Sequence, residues 1–137
     1  MLDMLHVVIG GEPALIRSSQ IREVLRPHEL TPVPMGPDHL LGLANIHGQI
    51  VCIIDAGRVT MLPSAEQPGT THTRFLLLRD PAMHVGIQVD NVLGIRRIPE
   101  HELTGECLVQ QITVDDLPVS VLDCRQLLHG EKAGLPG

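Results

Sequence analysis

The chain has 137 residues, 43% apolar and 19% charged, which fits one globular domain or two very small ones sharing a core, not a disordered chain. Ten Lys and Arg against sixteen Asp and Glu give a formal charge of −6, the wrong balance for a phosphate-backbone binder. Phe75 is the sole aromatic residue, so no stacking platform for single-stranded nucleic acid exists, and no apolar run approaches the ~20 residues that span a bilayer.

Eleven Pro and thirteen Gly chop the chain into short apolar runs, the pattern of many strands joined by turns. Leu5–Ile9 reads as a strand, Gly10-Gly11 as a turn, and Ala14–Ile16 as the returning arm. Ile21 and Val24 fall in a short segment of open type. Thr31-Pro32-Val33-Pro34 must be extended, because each Pro restricts itself and its predecessor. Pro37–Leu41 is expected to form one helical turn stopped by Gly42. Ile50–Ile54 is a continuous apolar run, as for a strand buried on both faces. Asp55 then caps a helix over 56–62.

Residues 63–72 read as a loop or linker. Strands follow at Phe75–Leu78, Val85–Val89 and Val92–Ile98, the first two separated by a turn at Asp80-Pro81-Ala82. Residues 107–114 and 117–122 form a hairpin turned at Asp115-Asp116, and Asp123 caps a last helix over 124–129. Residues 130–137 read as a frayed tail. A weak repeat aligns Val51–Asp55 with Val119–Asp123 at an offset of 68, and the strand–turn–strand units at 5–16 and 75–87 also match. Two similar small β units packed on each other are expected.

Little here carries catalysis. There is no nucleophile elbow and no phosphate-cradling glycine loop. Eight His show no metal-ligand spacing, so no metal site and no cofactor are expected. Cys52, Cys107 and Cys124 lack paired spacing and read as reduced thiols of a cytoplasmic protein, with Cys52 a small core hydrophobe. Met1-Leu2-Asp3-Met4 lacks the basic stretch of a secretory signal.

Residues 33–55 are the specific stretch. Val33-Pro34-Met35-Gly36-Pro37, then Gly42, then Asn45-Ile46-His47-Gly48 ahead of a strand ending in Asp55, closely resemble the CheW-like family. Ile21-Arg22-Glu23-Val24, Thr73–Leu78 and Val85–Val92 match other elements of that pattern, so the resemblance covers about residues 5–129. It implies a mostly β fold: two small five-stranded Src-homology-3-like β-barrels sharing a hydrophobic core, with short helices. The whole chain would be one CheW-like domain, with approximate subunits 1–62 and 73–129 and strands free to exchange between them. The implied function is that of a non-catalytic adaptor of a chemosensory pathway. It couples a chemoreceptor cytoplasmic tip to the regulatory domain of a CheA-type histidine kinase, with no nucleic acid and no membrane insertion.

Carried over by motif position, Glu23, Val24, Asn45, Ile46, His47 and Gly48 are the candidate partner-binding residues. Other readings of the residues stay open. Glu23 also suits a solvated strand charge, Asn45 a turn stabiliser, and His47 plain surface or a pH-sensitive contact. Ile21, Val24, Leu41, Leu43 and Ile46 divide between core and groove in a way the sequence does not settle. The chain departs from the family where His47 replaces an Arg, where Cys52 replaces a Pro, and where the stretch between Ile98 and Leu117 is shortened. These departures suit a second reading, a variant serving a non-chemotactic kinase pathway such as surface motility, or competing with a standard adaptor. A small enzyme or ligand-binding barrel is a third.

Overall fold

Short apolar runs separated by turn residues become strands in the computed structural model, which describes residues 1–60, 72–79, 84–103 and 108–125, with side chains of 59 and 60 excepted. In chain order these are β1 (Leu2–Ile9), β2 (Glu12–Arg17), β3 (Ile21–Leu25), β4 (Leu40–Ile46) and β5 (Gln49–Asp55). After the helix α1 (Ala56–Thr60) come β6 (Arg74–Leu78), β7 (Val85–Val89), β8 (Asn91–Ile98), β9 (Val109–Val114) and β10 (Leu117–Leu122).

Three two-residue turns set the local geometry. Gly10-Gly11, His47-Gly48 and Asp115-Asp116 all have positive φ at both positions. They join Ile9 to Glu12, Ile46 to Gln49 and Val114 to Leu117 in register. Positive φ at both turn positions matches the right-handed twist of the flanking strands, as in type I′ hairpins.

The strands form two five-stranded sheets, ordered β8-β1-β2-β10-β9 and β3-β6-β7-β5-β4. Each order maps onto the other when β1–β5 are exchanged with β6–β10, so the chain is an internal repeat. The sheets are built across the segments 1–62 and 73–129, not within them. The first hairpin, β1–β2, joins the last three strands, and β6–β7 joins β3–β5. Parallel pairing makes each junction: Ala14–Ile16 of β2 beside Ser120–Leu122 of β10, and Val85–Gln88 of β7 beside Cys52–Asp55 of β5.

This exchange fixes the core. Met4, Leu15, Ile112, Val119 and Val121 fill the barrel of the first sheet. Ala44, Ile46, Val51, Ile53, Phe75 and Leu77 fill the second. The largest cluster lies between them, with Leu5, Val7 and Ile16 meeting Ile54, Leu76, Leu78 and Ile87. Period-two alternation feeds both layers: Phe75 and Leu77 point into their own barrel, Leu76 and Leu78 into the shared core. The fold is thus two Src-homology-3-like barrels on one common core.

The two aspartates that end β5 and β10 act alike. Asp55 Oδ1 accepts the Gly57 N–H at 2.9 Å, and Asp123 Oδ1 accepts the Arg125 N–H at 3.0 Å. Each carboxylate satisfies an orphan donor at the start of a helix, and both are buried.

Several local expectations need correction. Pro37–Leu41 is not a helical turn: a single Leu40 N–H to Pro37 C=O bond closes a turn, and Leu40 opens β4. Gly42 does not stop a helix but lies inside β4 at φ +154, where an added Cβ would meet the Thr31 carbonyl oxygen at 2.7 Å. That close approach lets Thr31 and Leu43 exchange backbone hydrogen bonds at 2.8 and 2.9 Å. Pairing with β5 outweighs the local turn signal here. Ile50–Ile54 is not buried on both faces throughout, since Ile50 is 58% exposed and Cys52 half-buried. The expected 63–72 loop, except its last residue, the Asp80-Pro81-Ala82 turn, the last helix beyond Arg125 and the 130–137 tail lie outside the described residues.

One consequence is testable. Ile87 is fully buried in the shared core, and Ile87→Ala is expected to destabilise the protein by about 2–5 kcal/mol. Urea unfolding followed by far-ultraviolet circular dichroism should show one transition at a lower midpoint. Amide exchange should accelerate together in both sheets; protection lost in the second barrel alone would contradict a common core.

Candidate partner-binding surface

The β4–β5 hairpin carries most of the candidate residues. His47 takes the first turn position at φ 53 and Gly48 the second at φ 81. An added Cβ at Gly48 would meet nothing within 4 Å, so only the backbone demands glycine there. The turn swings His47 toward β3. Its Nε2–H donates to both carboxylate oxygens of Glu23, at 3.1 and 3.0 Å.

β3 and β4 are the two edges of their sheet. The Glu23–His47 pair therefore joins one edge strand to the hairpin of the other and helps close the barrel, as the Thr31–Leu43 bridge does farther along. The other barrel repeats the device. Asp115, also first in its turn at φ 53, pairs with Arg96 of the edge strand β8 at 2.6 Å. Side chains of His47 and Glu23 are 67% and 38% exposed. Such a pair contributes about 0–1 kcal/mol and stays open to a partner.

The remaining candidates separate. Val24, beside Glu23, is 43% exposed, and Gly48 is exposed at the turn. Asn45 is exposed and lies in β4 opposite Ile50; it is a strand residue, and the left-handed turn conformation falls to His47 instead. Ile46 is only 1% exposed and packs into the barrel, because the alternation of β4 turns Ala44 and Ile46 inward. Its part is therefore packing. Of the other apolar positions left open, Ile21 is buried while Leu41 and Leu43 are half-buried.

Sequence reasoning missed two features. Ile50 belongs to the outer face of the hairpin, hidden in a continuous apolar run whose period-two signal is masked by Cys52 and Ile54. Beneath the hairpin lies a cavity of about 150 Å³ with Ile46, Val51 and Leu77 as its apolar floor and Arg22, His47 and His84 among its lining. No local pattern brings Arg22 and His84 together; the β3–β6–β7 order does.

Cys107 lies outside the described residues, and the two described thiols do not suggest chemistry. Cys124 is fully buried, and desolvation first, then the Asp123 charge, pushes its thiol far above the ordinary range. Desolvation also raises Cys52, which is half-buried and not the core residue expected. Neither environment favours the thiolate nucleophile. Among the described residues no group of three or more His, Cys, Asp or Glu gathers to hold a metal, and no helix is long and apolar enough to cross a membrane.

Comparison with known proteins decides the family. The family model described as the CheW-like domain matches residues 3–132. The chain belongs to the CheW-like family. It is 25% identical over 130 residues to a chemotaxis protein CheW of Helicobacter pylori, covering 95% of this chain and 71% of that protein. It is 32% identical over 84 residues to protein FrzA of Myxococcus xanthus, covering 61% and 51%. A chemotaxis protein CheW of Thermotoga maritima is 29% identical over 101 residues, covering 74% and 65%. The fold matches the solved scaffolding protein TtCheW of Thermoanaerobacter tengcongensis with a TM-score of 0.79 at 17% identity, over 98% and 97% of the two chains.

Two outcomes follow from this geometry. Gly48→Ala should cost about 1–2 kcal/mol through its left-handed backbone alone, whereas Glu23→Gln should cost less than about 1 kcal/mol; urea midpoints measure both. For Cys124 the folded thiol keeps its proton where the unfolded thiol has lost it. The unfolded state then binds fewer protons, so stability should fall as pH rises past the ordinary thiol range. Cys124→Ser should flatten that alkaline decline.

Proposed function

We propose that this protein is a non-catalytic adaptor of a chemosensory pathway, acting in the cytoplasm. It joins the regulatory domain of a CheA-type histidine kinase to the cytoplasmic tip of a chemoreceptor by protein–protein contacts. Membership of the CheW-like family over residues 3–132 supports the class of function. The observation that carries the surface is the exposed Glu23–His47 pair, flanked by Val24 and Asn45 and standing at the closing seam of one barrel.

The mechanism is placement. The β4–β5 hairpin supplies an imidazole and Asn45, and the edge strand β3 supplies a carboxylate and Val24, on one sheet whose hydrogen bonding holds them in place. Rigid presentation limits the ordering cost of association. The Glu23–His47 pair is weak enough in itself to be traded for contacts with a partner. No aromatic anchor is available, since Phe75, the sole aromatic residue, is buried, so a reversible contact is expected. His47 also favours a second reading, a specialised adaptor of a non-chemotactic kinase pathway. Where the family has Arg, the imidazole presents fewer donors and no planar fork.

Calorimetric titration against CheA-type regulatory domains from the same cell tests the reading. Saturable micromolar binding is expected, weakened about tenfold or more by Glu23→Lys, which reverses the charge this position offers and removes the acceptor of the His47 N–H. His47→Arg should tighten binding to a kinase whose usual adaptor carries the Arg. Absence of binding to every such domain would overturn the proposal.

A further inference from the structure

Away from the hairpin, three arginines from three distant parts of the chain line one cavity of about 190 Å³: Arg17 at the end of β2, Arg79 after β6, and Arg125 after β10, with Ser19, Gln20 and Cys124. Among the described residues a single carboxylate faces them. Asp123 is 5% exposed, with Arg125 Nη2 at 3.5 Å and Arg17 Nη1 at 3.8 Å from its Oδ2. Its Oδ1 is already occupied by the Arg125 N–H at 3.0 Å and by Gln20 Nε2 at 2.9 Å. Among the described residues, three guanidinium groups thus stand against one carboxylate, in a chain whose formal charge is −6.

The donors of these arginines are largely unspent. Among the described residues Arg79 Nη2 reaches the Ile21 carbonyl, at 3.4 Å. Arg17 is held, among the described residues, by its loose ion pair alone, and its Nε is buried with no hydrogen-bond partner there. A desolvated guanidinium donor without an acceptor costs free energy that an anion in the pocket would recover.

The repeat supplies a control. At the equivalent end of the other sheet, Asp55 caps its helix in the same way, yet has one guanidinium, Arg58, at 3.8 Å. Gln88 stands opposite Asp55 in the parallel register. Continuing the β2–β10 register by one residue puts Arg17 opposite Asp123. The cap and the fold therefore require neither Arg17 nor a cluster of three.

We propose that this pocket binds a phosphate monoester. Such a group carries about −1.5 to −2 charge near neutrality and three acceptor oxygens, which suits the excess of guanidinium over carboxylate among the described residues and the donors those guanidinium groups have left. A carboxylate brings half the charge and two oxygens. The cavity exceeds a phosphate group in volume, leaving space for the esterified part. A small-molecule ester and a phosphorylated side chain present the same chemistry.

The test uses the whole chain. Amide-resolved nuclear magnetic resonance titrations with inorganic phosphate, glycerol 3-phosphate and a phosphoserine peptide are compared with sodium chloride and acetate at matched ionic strength. The expected result is saturable shifts at Gln20, Arg79 and Cys124 with the phosphate probes alone. The ester that binds more tightly, glycerol 3-phosphate or the peptide, identifies the source. Arg79→Gln and Arg125→Gln should each weaken binding about tenfold or more, the loss expected for one charge-assisted contact. Arg58→Gln, at the equivalent place in the other barrel, should leave binding unchanged. Shifts reproduced by chloride or acetate, failure to saturate, or indifference to the Arg79 and Arg125 substitutions would overturn the proposal.

Discussion

Two parallel strand pairings, β2 with β10 and β7 with β5, govern everything else in this molecule. Each joins a hairpin from one repeat to three strands of the other. A five-stranded barrel of short strands has little interior, and here each interior holds only a handful of buried apolar side chains. The exchange makes the outer faces of β1 and β6 into a third and larger apolar layer. Neither barrel is then a separable unit, because the strands that complete one are covalently continuous with the strands of the other. Pairings so distant in sequence also carry a loop-closure cost that must be met before they stabilise the fold.

Once the exchange is made, the edges become the remaining problem, since exposed edge strands invite unwanted pairing. Both sheets answer it alike. The first residue of a tight turn reaches the opposite edge strand through its side chain, His47 hydrogen-bonded to Glu23 in one barrel and Asp115 ion-paired to Arg96 in the other. The contact is exposed and contributes little to stability. Its value is geometric, holding charged side chains and neighbouring apolar ones in a fixed display. A display of that kind suits a partner surface.

Much of the local architecture was legible because it depends on a few residues. Gly10-Gly11 and Asp115-Asp116 announced their hairpins, and Asp55 and Asp123 announced their caps through the repeat at an offset of 68. β4 was not legible, because Pro37 and Gly42 carry local signals for a turn and a stop, and only pairing with β5 and Thr31 overrides them. The inward turn of Ile46 and the outward turn of Ile50 were equally hidden, since apolar residues on both faces erase the alternation that would assign them. The repeat revealed which segments are equivalent. It was silent on which of them pair; the family resemblance left room for exchange, but which hairpins exchange, and the meeting of Arg22 with His84, belong to tertiary structure.

The same repeat gives a way to separate what the fold needs from what it has been given. Features present in both copies, such as the capping aspartates and the paired turn-to-edge contacts, are explained by closing a small barrel. Features present in one copy need another cause. The first turn residue is an imidazole in one barrel and a carboxylate in the other, on an otherwise shared backbone. One capping aspartate faces one arginine and its equivalent faces two, with a third lining the same cavity. Like charges gathered at one cavity repel one another, and the buried Arg17 Nε has no hydrogen-bond partner among the described residues. The asymmetry of the arginine cluster therefore points outside the chain, to an anion that the pocket holds, in a way that the symmetric features do not.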